Sequence, residues 1–323
     1  MRQLGKSFWR GALAAVAVAG FVTSAAAQME LKIMAPAAPG GGWDQTARSM
    51  QQALMQAGIA KGVQVTNVPG AGGSIGIAQL VNNSKGDGNQ LMVMGYVMVG
   101  ALLTNKSPVT LDQTTPIARL TAEYEAIVVP ADSPIKSVKD LATAIKADPA
   151  KVTWAGGSAG GVDHIAAALF AKAAGADPTK INYIPFSGGG EALAAILGGK
   201  VTAGISGYGE FESQIKAGKL RLLGLSSPAD KATAEQPSIK AEGVDLEIAN
   251  WRAVVAPPGI SADQKKALTE AMDKMAKSKE WQEILKAKGW DDAYLSGDAF
   301  AKLLGEEVIR TKEVLTAVGL VKS

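Results

Sequence analysis

The chain contains no cysteine and only one histidine among its 323 residues. Without cysteine there is no disulfide framework and no cysteine-linked lipid anchor at the N-terminus. Zinc sites draw on several cysteine and histidine ligands, so this composition also argues against a zinc site. We therefore expect the protein to work without a metal or any other cofactor.

An excess of charge of one sign is also missing. The sequence has 33 basic and 30 acidic residues, a net charge of +3. Arg2, Lys6 and Arg10 lie at the N-terminus, and the rest of the chain has 30 basic residues against 30 acidic ones. No run of five like charges occurs. This balance argues against a nucleic-acid partner, which would need a basic surface.

Long apolar runs are absent beyond the N-terminus, where a basic head is followed by the apolar segment 11–25 and by small residues up to Ala27. This order is typical of a secretory signal peptide. The apolar segment is short for a membrane span, although an uncleaved anchor is the alternative. We predict that residues 1–27 are a signal peptide cleaved near Ala27, and that the remainder is a soluble, monomeric protein of the periplasm.

Aromatic residues make up only 5% of the chain, whereas glycine occurs 37 times, which indicates many tight turns. Strand-like segments alternate with helix-like ones. Examples are strand 31–35 before helix 44–57, and strand 151–157 before helix 162–174. Such alternation predicts an α/β fold of parallel sheets with helices on both faces.

The chain has two predicted crossings between domains, at 128–134 and 250–254, near strands that end in proline-containing turns. If both are hinges, residues 28–127 and 255–323 form one doubly wound α/β domain and residues 135–249 form a second. A ligand would then bind in the cleft between the two domains.

Two amphipathic helices are predicted near the C-terminus. The first covers 261–281, with Ser261 and Gln264 at capping-box spacing and apolar residues on one face. The second covers 297–319, with apolar residues at helical spacing from Phe300 to Leu315.

Five strand-to-helix connections carry glycine-bearing turns, and these are the candidate binding elements. They are 40–42, 70–73, 156–160, 187–190 and 206–209. The first N–H groups of a helix have no internal partner and carry partial positive charge. In parallel α/β sheets such turns gather at the carboxyl ends of the strands. We therefore expect several helix N-termini to form one anion site, although glycines that merely turn the chain are the alternative.

Polar residues near these turns have more than one interpretation. Asp44 either caps its helix or holds a ligand hydroxyl or ammonium group. Arg252 is a candidate for an extra carboxylate or a structural residue. Asp163, Glu191 and Glu210 lie near the same turns, so not every turn can accept an anion.

The third turn also suggests a catalytic alternative, because residues 156–160 match G-x-S-x-G between a strand and a helix. A serine esterase would use Ser158 as nucleophile. The one histidine, His164, follows six residues later on the same predicted helix, which does not favour a Ser–His hydrogen bond. We therefore expect a binding protein rather than an enzyme, with Ser158 donating its hydroxyl to an anion.

Several motifs together resemble the Bug solute receptors of tripartite tricarboxylate transporters. They are APAAPGGGWDQTAR, VPGAGGSIG, GGSAGGVDH, IPFSGGGEALAAILGGKV and IKAGKLRLLGLSS. The resemblance implies a type II periplasmic binding protein of two α/β domains, which captures a small organic acid and passes it to a membrane permease. GGSAGGVDH and NWRAVVAPPG are most similar to the tricarboxylate branch, which implies a citrate-like di- or tricarboxylate.

The resemblance and the glycine turns together give a set of candidate ligand contacts. From the resemblance these are Gly41, Gly42, Trp43, Asp44, Gly72, Gly73, Ser74, Gly157, Ser158, Ala159 and His164. The fourth and fifth turns add Ser187, Gly188, Ser206 and Tyr208.

Overall fold

The computed structural model describes residues 29–186 and 189–322. The predicted signal peptide, residues 1–27, and two candidate contacts, Ser187 and Gly188, lie outside the described residues.

Within these residues the chain forms ten strands and ten α-helices. The strands are β1 Met29–Ala35, β2 Ala60–Asn67, β3 Gln90–Gly95, β4 Thr115–Pro130, β5 Thr153–Gly156, β6 Asn182–Pro185, β7 Ala203–Gly207, β8 Leu220–Leu225, β9 Ala249–Ala256 and β10 Asp291–Ser296. The helices are α1 Gly42–Gln56, α2 Ser74–Asn83, α3 Tyr96–Thr104, α4 Val138–Ala147, α5 Val162–Ala173, α6 Gly189–Leu197, α7 Tyr208–Lys216, α8 Ala262–Lys277, α9 Lys279–Lys288 and α10 Gly297–Ala317.

The strands pair in the order β2-β1-β3-β9-β4-β7-β5-β6, and β8 and β10 also pair with β4. The predicted α/β alternation is confirmed, with parallel pairs β1–β2, β1–β3, β5–β6 and β5–β7. The centre of the arrangement is antiparallel, because β9 runs against β3 and β4. The sequence alternation gave no sign that these strands run antiparallel.

Strand β4 connects the two halves of the sheet. It pairs with β9 as far as Tyr124, opposite Ala249, and from Glu125 onwards it pairs with β7 and β8. The predicted crossing at 128–134 therefore overlaps the end of a continuous strand. The assignment of residues 28–127 and 255–323 to one domain and 135–249 to the other stays a prediction.

Two local predictions need correction, and a third is confirmed. The sequence predicts a strand over 90–97, but β3 ends at Gly95, and Tyr96 and Val97 begin helix α3. The apolar run through both elements gives no period that could separate a strand from a helix. The helix predicted over 261–281 is broken at Ser278, which ends α8 and caps α9. The predicted capping box of Ser261 and Gln264 is confirmed.

The apolar faces of the helices cover the sheet. Phe300 and Leu315 of α10 are buried as the helical spacing predicts. A smaller apolar cluster, which includes Val128, Ile196 and Phe211, lies under α6 and α7. Across residues 29–186 and 189–322, no helix has the length and apolarity needed to cross a membrane.

Candidate functional site

The glycine turns meet around a buried space that we call the inner cavity. Its lining residues come from the first, second, third and fifth glycine turns and the helices that follow them, from residues 36–37 after β1, from α3 and from β9. They are Pro36, Ala37, Gly41, Gly42, Trp43, Gly70, Gly72, Val97, Gly157, Ser158, Asp163, Ser206, Glu210, Asn250 and Arg252. The space measures about 50 Å³, enough for about four water molecules.

An outer cavity of about 320 Å³ continues from the inner one and shares Gly72 and Ser158 with it. Ala159, Asn105 and Phe186 are among its other lining residues. A Cβ built on Gly72, where φ is +62°, would lie 3.2 Å from the Cβ of Ser158. The second and third turns therefore touch each other, and the cleft is nearly closed in this structure.

The helices that begin at the inner cavity share one kind of N-terminus. Each has a glycine at its N-cap, and within the described residues none has a side-chain cap hydrogen bond. The N-caps of α1, α2, α3, α5 and α7 are Gly41, Gly73, Gly95, Gly161 and Gly207. By contrast, α4, α8 and α9 begin at serines whose side chains accept hydrogen bonds from backbone amides of the first turn. The helices at the cavity thus leave the amides of their first turns without a side-chain cap, as does α10, which begins at Ser296 away from this cavity.

Some of these turn amides are already engaged by the chain itself. The Gly40 amide donates to Asp44 Oδ2 (2.9 Å), and the Gly157 amide donates to Asp163 Oδ2 (2.7 Å). The site is therefore more than a ring of unoccupied amides.

At Gly42 a side chain would collide with Arg252. A Cβ on Gly42 would lie 2.8 Å from Cζ of Arg252 and 3.0 Å from Oε1 of Glu210. Both side chains are nearly buried. The first glycine turn thus makes room for a buried guanidinium group at the N-terminus of α1.

Arg252 is held among acidic side chains and over an aromatic ring. Its Nη2 donates to Glu123 Oε1 and lies 4.0 Å from Glu210 Oε1. Trp290 donates from Nε1 to Glu123 Oε2 (3.1 Å), and the guanidinium lies 5.5 Å from the centre of its ring. The other guanidinium nitrogen, Nη1, is buried and has no hydrogen-bond partner among the described residues.

Two more buried carboxyl groups, those of Glu125 and Asp163, interact electrostatically with the ion pair of Arg252 and Glu123. Burial raises the pKa of Asp163 to about 6, against the effect of its hydrogen bonds from Gly157 and Ser206. Burial also raises the pKa of Glu125 well above its usual range, and the charges of Asp163 and Glu123 add to this shift. Burial therefore favours the neutral form of Glu125, whereas Asp163, with a pKa of about 6, is mostly ionised at pH 7.

The candidate contacts predicted from the sequence fall into three groups. Those that line the inner cavity are Gly41, Gly42, Trp43, Gly72, Gly157, Ser158 and Ser206. Ala159 lines the outer cavity together with Gly72 and Ser158. Those that line neither cavity are Asp44, Gly73, Ser74, His164 and Tyr208. As ligand contacts all of them stay predictions.

Asp44 forms a buried cluster within its own part of the chain. It accepts from Arg48 Nε (3.0 Å), Asn67 Nδ2 (2.8 Å) and the Gly40 amide. Burial alone would raise the pKa of Asp44, but these hydrogen bonds hold it below the usual range. Asp44 lies in the first turn of α1 but does not cap it, because the N-cap is Gly41 and α1 has no side-chain cap hydrogen bond. Tyr208 lines a separate cavity together with Tyr124 and Lys231.

His164 braces the third turn. Its Nδ1 accepts from the Gly160 amide (3.1 Å), and its ring stacks on Tyr183 at 4.1 Å between centroids. Burial lowers its pKa to about 4, so the ring is neutral at pH 7. In the part of the chain that the structure describes, no carboxylate pairs with His164, and no hydrogen bond joins it to Ser158. A catalytic triad is therefore not formed around Ser158.

Residues that sequence reasoning set aside or missed also line the inner cavity. Arg252 was considered mainly a structural residue, and Asn250 was not singled out. Both lie on β9, opposite Thr121 and Glu123 of β4. Because β9 and β4 lie far apart in the sequence, no local pattern indicates that these residues reach the cavity.

The family described as "Tripartite tricarboxylate transporter family receptor" matches residues 46–320. This chain belongs to that family. Its members are solute-binding receptors, so the chain is a receptor and not an enzyme. The esterase alternative has no support.

Solved structures agree with the fold. The periplasmic binding protein BugD has a TM-score of 0.79 at 22% identity, covering 92% of this chain and 99% of BugD. MatC from Rhodopseudomonas palustris, with bound malate, has a TM-score of 0.75 at 21% identity, covering 89% and 99%. R. palustris Rpa4515, with adipate, has a TM-score of 0.79 at 20% identity, covering 91% and 98%. At these identities the likeness shows the periplasmic-binding-protein fold.

Proposed function

We propose that this protein is a periplasmic receptor that captures a small di- or tricarboxylate in its cleft and delivers it to the membrane permease of a tripartite transporter. Family membership supports the receptor role, and the signal-like segment 1–27 supports export. Malate in MatC and adipate in Rpa4515 support a dicarboxylate class, within which citrate-like acids are further candidates.

The observation that carries the proposal is the second guanidinium nitrogen of Arg252. It is a charged donor, almost fully buried and without a partner among the described residues, and it belongs to a side chain that lines the inner cavity. A buried charged donor left unpaired is costly, and a ligand carboxylate would supply the missing acceptor. A hydrogen bond between charged partners contributes roughly 1.5–3 kcal/mol.

The N-terminus of α1 supplies the complementary donors. Gly42 and Trp43 are in its first turn and line the inner cavity, and no side chain in the described residues caps them. Their amides carry the positive end of the helix dipole. Ser158 and Ser206, from the third and fifth turns, also line the cavity and add hydroxyl groups. We propose these four residues, with Arg252, as the carboxylate contacts.

A thermal-shift and calorimetric screen of malate, adipate and citrate tests the proposal. An acid at about 100 times its dissociation constant should add about 2.7 kcal/mol to the free energy of unfolding. Arg252→Met should weaken binding of the tightest-binding acid by at least about tenfold, because the substitution removes the charged donor.

Arg310→Met is the matched control. Its guanidinium lies on α10 and is largely exposed, paired with Glu307 at 3.4 Å, so binding should be unchanged. The proposal is wrong if no acid binds, or if Arg252→Met binds the best acid as tightly as the unmodified chain.

A further inference from the structure

The inner cavity has one cation and several carboxyl groups around it. Among the described residues that line it, Arg252 is the only base, and Asp163 and Glu210 are acids. Glu123 and Glu125 lie outside the lining but act electrostatically on the same cluster. Arg252 is within ion-pair distance of Glu123 and Glu210, so two carboxylates already share its single positive charge.

Asp163 is the lining carboxyl group that has no cation of its own. Within residues 29–186 and 189–322, Arg252 forms its ion pairs with Glu123 and Glu210 and not with Asp163. Neutral donors hold Asp163 instead, namely the Gly157 amide (2.7 Å) and the Ser206 side chain. Because Asp163 is only 4% exposed, solvent does little to stabilise its charge.

The other groups that face Asp163 do not supply the missing positive charge. Glu125 on β4 is fully buried, and neither of its carboxyl oxygens has a hydrogen-bond partner among the described residues. Tyr183 on β6 donates its hydroxyl to the Gly157 carbonyl oxygen (2.7 Å). His164, adjacent on α5, is neutral at pH 7 because burial lowers its pKa to about 4. The remaining charged groups of the cluster are Glu123, Glu210 and Arg252.

An organic acid that enters this cavity adds further negative charge to the cluster. Like charges in a water-poor site repel strongly, because the effective dielectric constant there is well below that of water. A nearby anion also raises the pKa of a carboxyl group, and burial has already raised the pKa of Asp163 to about 6. A modest further increase therefore takes Asp163 through neutral pH, and proton uptake there relieves the repulsion.

We propose that Asp163 is a proton-binding site that is loaded when an organic acid enters the inner cavity. The proton comes from the solvent, binds one oxygen of the Asp163 carboxylate, and returns to the solvent when the acid leaves. The protonated carboxyl group is a hydrogen-bond donor, whereas the carboxylate can only accept, so the proton turns a repelling neighbour of the ligand into a partner. This inference rests on the proposed function and adds a second bound species, the proton, whichever acid binds.

Calorimetry in buffers of different ionisation enthalpy counts the protons taken up for each acid bound. Malate and adipate are suitable probes, because their carboxyl groups stay ionised between about pH 6.5 and 8.5. At about pH 7 the unmodified chain should take up at least about half a proton per acid, and its affinity should fall at least about fivefold from pH 6.5 to 8.5. An affinity that does not change with pH, without proton uptake, overturns the inference.

Asp163→Asn tests the assignment of the site, because asparagine has nearly the same shape and carries no charge. This variant should bind the acid with almost no proton uptake, and at about pH 8.5 it should bind at least about fivefold more tightly than the unmodified chain. A merely structural role for Asp163 predicts no such gain. Asp245→Asn, the same change at an exposed carboxylate paired with Lys240 (3.5 Å), is the matched control and should behave as the unmodified chain.

Three outcomes separate the inference from its alternatives. If proton uptake is lost in His164→Asn and persists in Asp163→Asn, the proton binds the histidine and the inference is wrong. If malate or adipate binds the unmodified chain without proton uptake, the inference is wrong and the proposed function stands, even where Asp163→Asn fails to fold. If malate, adipate and citrate all fail to bind at every pH from about 5.5 to 8.5, both are wrong.

Discussion

At the level of single residues, Arg252 has a structural role as well as a proposed binding role. It is 2% exposed and is the counter-ion of Glu123 and Glu210. Removing one partner of a buried ion pair leaves uncompensated charge and typically costs about 3–5 kcal/mol. We therefore expect Arg252→Met to lower the free energy of unfolding by that amount in urea denaturation, whereas the exposed Arg310→Met should cost less than about 1 kcal/mol. Similar losses in the two variants would contradict this role.

Replacing glycine by alanine should change the free energy of unfolding in opposite directions at Gly42 and at Gly305. Gly42→Ala forces a methyl group into the Arg252 guanidinium and should destabilise the protein by about 1–3 kcal/mol. Gly305→Ala, in the middle of α10 where a Cβ would meet nothing within 4 Å, should stabilise it by about 0.5–1 kcal/mol. Urea denaturation of both variants measures the two signs. A neutral Gly42→Ala would mean that the first turn does not need its glycine.

Asp163 and His164 make stability depend on pH in opposite senses. The folded pKa of Asp163, about 6, is above its unfolded value of 3.8, so its contribution increases as the pH falls from about 6 to 4. The folded pKa of His164, about 4, is below its unfolded value of 6.5, so its contribution is lost as the pH falls through the same range. Each shift corresponds to up to about 3 kcal/mol.

The two single variants separate these effects. On going from pH 6.5 to 4, Asp163→Asn should lose up to about 3 kcal/mol more unfolding free energy than the unmodified chain, and His164→Asn should lose correspondingly less. Denaturation at both pH values measures the difference. If both variants follow the pH dependence of the unmodified chain, neither group has the assigned pKa.

At the level of helices and strands, the serine caps away from the cleft contribute stability that the glycine-capped helices lack. Ser261 Oγ accepts from the Gln264 amide (3.1 Å), and the Gln264 side chain accepts from the Ser261 amide (2.7 Å). Ser261→Ala should therefore lower the free energy of unfolding by about 1 kcal/mol, and Ser261→Gly should lower it by only a few tenths of a kcal/mol. Equal losses in both variants would show that the hydroxyl is not what stabilises the start of α8.

How much could be predicted from the sequence depended on whether the signal was local. The first, second, third and fifth glycine turns and the cap at Ser261 follow from adjacent residues, and they are present as predicted. Strand β10 and the full length of β4 were missed, because their pairing depends on contacts far apart in the chain. For the same reason the sequence did not predict the buried ion pair of Glu123 and Arg252, whose residues are 129 positions apart.

At the level of the whole molecule, the inner cavity is too small for the proposed ligand in this closed arrangement. Ligand pockets measure about 300–1,000 Å³, compared with about 50 Å³ here. The turns that touch at Gly72 and Ser158 must therefore separate for a ligand to enter, and the single β4 strand between the sheet halves is where we expect bending.

Small-angle X-ray scattering can detect this opening. The ligand-free protein should have a larger radius of gyration than the closed structure, and a saturating acid should reduce it toward the closed value. A radius that already equals the closed value and does not respond to a bound ligand would contradict hinge opening.

The most direct test of the account is a crystal structure of the protein with its tightest-binding acid. We predict a ligand carboxylate within hydrogen-bond distance of Arg252 Nη1 and of the first amides of α1, enclosed between the first and third glycine turns. A ligand whose carboxylates contact neither Arg252 nor the N-terminus of α1, or one seated in the apolar groove between α3 and α10, would contradict it.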